Sequence, residues 1–125
     1  MISETSVQDL ARKQIGAAFA ADWPALERLY ADDVQYRDPD TRLSSRAAVL
    51  DHLRGQVDAF AGFEYTIHHT YSDSAEGAVV EWHMSGDYDG KPVRLDIVTA
   101  YDFLGDRIVS ERNYWDNAAL QAQLG

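Results

Sequence analysis

The apolar positions of this chain repeat with two different periods, and the change falls near Gly62. Before it, spacings of three and four dominate. In "TSVQDLARKQIGAAFA" the residues Val7, Leu10, Ala11, Ile15 and Ala18 recur at helical spacing behind a Thr5-x-x-Gln8 pair that fits a capping box. "DWPALERLY" predicts a second, short helix: Asp22 can cap it, Pro24 is tolerated in a first turn, and Leu26, Leu29 and Tyr30 share a face. "VQYRD" then reads as a strand stopped by Pro39. A third helix, capped by Ser44 or Ser45, carries Val49, Leu53, Val57 and Phe60 along one side.

After Gly62 the period becomes two. "FEYTIHHTY" alternates Phe63, Tyr65, Ile67 and His69 against Glu64, Thr66 and His68, and "AVVEWHMSGDY" sets Val80, Trp82 and Met84 against Glu81, His83 and Ser85. Asp89-Gly90 is a two-residue hairpin signal, since both residues tolerate the positive φ of a type I′ turn. "PVRLDIVTAYDF" follows with Val93, Leu95, Ile97, Thr99 and Tyr101 on one side and Val98 and Ala100 on the other. "LGDR" turns it into "IVSERNYWD", and "NAALQAQLG" reads as a short tail. Helices gathered early and hairpin-linked strands late predict one α+β domain over 1–125, with helices on one face of a twisted, antiparallel sheet.

The same parity raises a chemical question in "VQYRDPD". Val34, Tyr36 and Asp38 fall on the inward side, so an apolar face ends in a carboxylate. Asp-Pro is also a common turn starter, its carboxylate taking local backbone N–H bonds. The alternative is a working group at a cavity mouth, where loss of water raises its basicity.

Composition narrows the partners. The net charge is −10, from 21 acidic and 11 basic residues, which disfavours nucleic acid and anionic membranes and leaves neutral or cationic small molecules. Without cysteine there is no disulfide, thiol nucleophile or thiolate metal site, and cytoplasm is the default expectation. The opening "MISETSVQDLARKQ" lacks the basic and apolar segments of a signal peptide. His68 and His69, adjacent in a strand, are expected on opposite faces, His83 opposite Trp82 and Met84, and His52 on the surface of helix three. No metal-ligand spacing or phosphate loop is visible, so neither metal nor cofactor is expected.

"LYADDVQYRDP", the "DYDGKPVRLDIV" hairpin and "YDFLGDRIVSERNYWD" together resemble the nuclear transport factor 2-like superfamily, in its SnoaL-like and ketosteroid-isomerase-like branch, over nearly the whole chain. The resemblance implies a cone-shaped α+β barrel, with three N-terminal helices packed on a curved, mostly antiparallel sheet (a cystatin-like arrangement). It also places Asp38 where ketosteroid isomerases hold their proton-moving carboxylate. The positions of their two oxyanion donors correspond here to Gln14 and Thr99. The arginine between two aspartates of limonene-epoxide-hydrolase-like enzymes falls on Val80, Trp82 and Asn113, which does not support that mechanism. One scaffold of this kind hosts isomerases, cyclases, epoxide hydrolases, dehydratases and proteins without catalysis.

The sequence reading is therefore a cofactor-free enzyme moving a proton on a small apolar carbonyl compound, by isomerisation or aldol-type cyclisation. Asp38 is the expected base. Asn113, Tyr101 and Gln14 are candidate donors to the oxygen that gains charge, and Tyr36, Trp82, Met84, Thr99, Glu111 and Trp115 are expected to shape the cavity. The alternatives are a hydrophobic-ligand-binding or dimerisation module without chemistry, and water addition in the manner of an epoxide hydrolase or dehydratase, with Glu111 near Asp38. Val98 and Ala100 on the outer sheet face predict a homodimer through that face.

Overall fold

Side-chain oxygens fix where the helices begin. In the computed structural model, which describes residues 3–125, Ser3 accepts from the Ser6 N–H and starts α1, Glu4–Phe19. The cap thus lies two residues before the expected Thr5. Asp22 accepts from the Ala25 N–H and starts α2, Trp23–Leu29, with Pro24 in its first turn. Of the two serines considered, Ser45 caps α3, Arg46–Ala59.

Six strands follow the predicted order with one addition, β2. β1 is Tyr30–Arg37, β2 Arg42–Leu43, β3 Glu64–Ser74, β4 Gly77–Tyr88, β5 Lys91–Leu104 and β6 Arg107–Tyr114. β1 begins at Tyr30, directly on leaving α2, and β2 is a two-residue edge strand that the turn-rich "DPDTRL" did not announce. Asp89 and Gly90 take φ of 52° and 78° and close the β4–β5 hairpin as expected. The sheet runs β2-β1-β6-β5-β4-β3 and is mixed, because β1 lies parallel to β6. Among the described residues no strand pairs β2 to β3, so the sheet is open rather than closed into a barrel.

Two further expectations change. The tail forms a fourth helix, α4, Asn117–Leu124, capped by Asp116 at the Ala119 N–H and anchored by buried Leu120. Its apolar content is too small to read as periodic, and burial of one leucine against the sheet decides it. A bulge between Ile67 and His69 shifts the β3–β4 register, so the strict alternation expected there breaks and His69, expected on the side of Ile67, is exposed; His68 Nε2 lies 2.6 Å from His83 Nδ1. No helix among the described residues is long and apolar enough to cross a membrane.

The buried side chains form two clusters. Val7, Ile15, Leu26, Tyr30, Val34, Val49, Val80, Tyr101 and Ile108 hold the helices to the middle of the sheet. Phe63, Met84, Val93, Leu95, Ile97 and Leu120 fill the end under α4. Gly86 belongs to this second region: a Cβ there would sit 2.5 Å from the Phe63 ring. Gly86→Ala should therefore destabilise the protein by about 1–3 kcal/mol, read as a lower denaturant midpoint. An unchanged midpoint would mean that the ring can swing aside freely.

Candidate active site

A cavity of about 150 Å³ lies between the two clusters, enough for a guest of roughly one aromatic ring. Exposed Ala61 and Gly62 edge its mouth, and Phe19, Leu53, Phe60, Phe63, Trp82, Met84, Leu95, Ile97 and Trp115 make its walls largely apolar. The polar lining is confined to Gln14, Tyr36, Gln56, Glu111 and Asn113. α1, α3, β1 and β6 supply these five. Tyr36 and Glu111 meet because they are direct partners in the parallel β1–β6 pair, both facing inward.

Two chains of hydrogen bonds end on Glu111. In one, Tyr101 OH donates to Gln14 Oε1 at 2.5 Å, Gln14 Nε2 to Tyr30 OH at 3.0 Å, and Tyr30 OH to Glu111 Oε1 at 2.5 Å. In the other, Trp82 Nε1 donates to Thr99 Oγ1 at 3.0 Å, Thr99 to Asn113 Oδ1 at 2.8 Å, and Asn113 Nδ2 to Glu111 Oε2 at 2.9 Å. Every donor points towards the carboxylate. Burial pushes the Glu111 carboxyl above its usual range, against the opposing bonds from Asn113 and Tyr30 and the charge of His52. Burial, followed by the neighbouring Glu111 charge, also raises Tyr30, Tyr36 and Tyr101, which keep their protons.

Asp38 sits behind the cavity wall rather than on it. Its Oδ2 accepts from Tyr36 OH at 2.9 Å and lies 3.0 Å from His52 Nε2, and its Oδ1 accepts from the Asp40 N–H at 2.9 Å. Burial favours its neutral form, but the bonds from His52, Asp40 and Tyr36 and the His52 charge together outweigh that and hold it below the usual aspartate range. The increase in basicity expected from an inward aspartate is thus absent. Asp38 is also the turn residue of the bland alternative, since its N–H and C=O close the bend with Thr41.

Of the ten residues singled out from the sequence, Gln14, Tyr36, Trp82, Met84, Glu111, Asn113 and Trp115 line the cavity. Tyr101 and Thr99 are buried behind it, Tyr101 as the outermost member of the first chain and Thr99 between Trp82 and Asn113 in the second, and do not line it. His52 is not a free surface residue, because α3 carries it onto Asp38. Tyr30, Gln56, Phe60 and Phe63 were missed as site residues. Tyr30 had the signal of a polar head at the end of an apolar helix face, while Gln56 gave none. Among the described residues no three His, Asp or Glu side chains gather in a metal-holding group.

The profile of the SnoaL-like domain matches residues 11–111. No curated protein matches the chain by sequence. Several solved structures share the fold. A candidate polyketide cyclase from Xanthomonas campestris pv. campestris superimposes with a TM-score of 0.83 at 18% identity over 98% of each chain. A LEH-like epoxide hydrolase from M. tuberculosis gives 0.81 at 19% identity, covering 97% of this chain and 86% of that one. A protein of ketosteroid isomerase-like fold from Catenulispora acidiphila, in complex with trimethylamine, gives 0.79 at 19%, covering 91% and 90%. At these identities the likeness establishes the fold alone.

The two carboxylates act on stability in separate pH windows. Glu111 favours its protonated form when folded, so its contribution is full below its ordinary value of 4.5 and is lost as pH rises through the folded value. Asp38 contributes above its ordinary value of 3.8 and loses that contribution as pH falls through its lower folded value. Denaturation from about pH 5 to about pH 8 should therefore shift the stability difference in favour of Glu111→Gln over the wild type as pH rises. A difference that stays constant over that range would mean Glu111 is not held towards its acid form.

Proposed function

We propose that this chain, which belongs to the SnoaL-like domain family, moves a proton at the carbon next to the carbonyl of a small apolar compound, with Glu111 as general base. The reading is carried by one observation: a buried carboxylate of raised proton affinity, oriented by two donor chains, lines an otherwise apolar cavity. The Glu111 carboxylate takes the proton, the C–H electron pair becomes the enolate double bond, and the carbonyl oxygen gains the negative charge.

Two donors are suited to that oxygen. A primary amide has two N–H groups, and Gln14 and Asn113 each direct one into the network. Both side chains line the cavity, so the second N–H of each is the natural partner of the developing oxyanion. Isomerisation follows if Glu111 returns the proton to another carbon. Aldol-type ring closure follows if the enolate carbon attacks a second carbonyl of the same molecule, whose oxygen takes the C=O electron pair and then the proton back from Glu111. This assignment takes the basic role from Asp38, whose carboxylate does not line the cavity and is engaged by three donors. Tyr101 and Thr99 become groups that hold the two amides in place.

Exchange of the α-protons of small apolar ketones into deuterated water, followed by NMR, tests the reading without a known substrate. Glu111→Gln should slow exchange by about 10²–10⁴-fold, and Asn113→Ala by a smaller factor. Wild-type exchange in Glu111→Gln would sink the assignment, and binding without any exchange would favour a ligand-binding module.

We also propose that two copies pair through the outer sheet face. Val98 and its cross-strand neighbour Tyr114 are 37% and 46% exposed at the centre of that face, an apolar spot on a strongly acidic chain. Sedimentation should report a dimer, and Val98→Glu should shift it towards monomer; a monomeric wild type would end this proposal.

A further inference from the structure

Tyr36 lines the cavity beside Glu111, yet its hydroxyl proton points out of the ligand space, to Asp38 Oδ2 at 2.9 Å. The Asp38 side chain is 2% exposed and that of His52 24%, so the imidazole covers the carboxylate from water. An ionised carboxylate only accepts hydrogen bonds. Nε2 of His52, 3.0 Å from the same oxygen, therefore carries the imidazole proton, and the phenolic proton has to face Asp38. A phenol has one proton. With it held there, the Tyr36 oxygen offers the cavity only lone pairs.

The polar lining thus divides by direction. Gln14 and Asn113 present donors; Tyr36 presents an acceptor next to the Glu111 carboxylate. We propose that Asp38 and His52 are positioning residues that lock Tyr36 as an acceptor, and that the ligand is accordingly a hydroxy-carbonyl compound. Its hydroxyl or enol donates to Tyr36, and its carbonyl accepts from Gln14 and Asn113. The carbonyl half rests on the function proposed above; the hydroxyl half rests on hydrogen-bond directions alone.

Asp38→Asn separates this role from a merely structural one. The Asp40 N–H, which donates to Oδ1, keeps the new amide oxygen at that position and puts the NH₂ where Oδ2 was. The NH₂ then donates to Tyr36, whose own proton is released towards the cavity. Affinities for a hydroxyacetophenone and for its methyl ether, read by quenching of Trp82 and Trp115 fluorescence, report the change. The wild type should bind the phenol about five- to tenfold more tightly than the ether, the worth of one hydrogen bond. Tyr36→Phe should reduce that preference, and Asp38→Asn should reverse it.

Equal weakening of both probes in Asp38→Asn, with the preference intact, would overturn the proposal. So would a full preference in Tyr36→Phe, which would assign the hydroxyl to Glu111. If Asp38→Asn does not fold, Tyr36→Phe alone decides. A wild type that binds neither probe would remove both this assignment and the carbonyl reading. Binding without preference would remove this one only, and the proton-exchange result would stand apart from it.

Discussion

A carboxylate enclosed by protein is the constraint around which this structure is arranged. Withdrawing such an ion from water costs several kcal/mol even after the surroundings relax, and Glu111 is 2% exposed on a central strand. The cost is offset by donors delivered from five elements: Gln14 from α1, Tyr30 from β1, Trp82 from β4, Thr99 and Tyr101 from β5, and Asn113 from β6 itself. Direction is forced at both ends of the tryptophan chain. An indole N–H can only donate and a carboxylate only accepts, so Thr99 and Asn113 between them have a single workable orientation. A fully satisfied network of this sort ties the helix layer to the sheet in one register.

Burial alone does not set the character of an acid here. Glu111 is fully buried on a central strand and Asp38 half-buried just beyond the end of β1; burial favours the neutral form of both, yet their proton affinities move in opposite directions. Asp38 has three donors in direct contact, one of them the His52 imidazole. Glu111 has two neutral donors, and the ligand space around it is walled mostly by apolar side chains. The depth of burial, the number of donors and the adjacent imidazole together decide the sign. The proposed function assigns proton exchange to the first of these carboxyls, Glu111, and positioning to the second, Asp38.

The cavity exists because the two apolar clusters do not merge. Helix α1 lies on β3 and β4, α3 on β1 and α4 on β5, and the aromatic residues Phe19, Phe60, Phe63, Trp82 and Trp115 frame the space left between. Solved structures of the same fold include a LEH-like epoxide hydrolase, so the scaffold itself selects no reaction. What distinguishes this chain is the set of groups on the polar wall and the directions in which their protons point.

Strand parity and helix spacing were enough to name most of the wall. Alternate residues of a strand must face opposite sides, which put Tyr36, Trp82, Met84, Thr99 and Tyr101 on the apolar sides of their strands and Glu111 with Asn113 on one side of the last, and helical spacing put Gln14 on an apolar face. Turn chemistry at Asp89-Gly90 was equally legible, because few residues tolerate its backbone. The hub of the site was not. A strand has the same pattern whether its neighbour runs parallel or antiparallel, so nothing in "VQYRDPD" or "IVSERNYWD" revealed that Tyr36 would meet Glu111. Nor could His52 be placed on Asp38 before α3 was docked on β1. Side-chain direction is a local property that covalent geometry fixes; proton affinity sums over neighbours brought from distant parts of the chain, and only the folded molecule selects those.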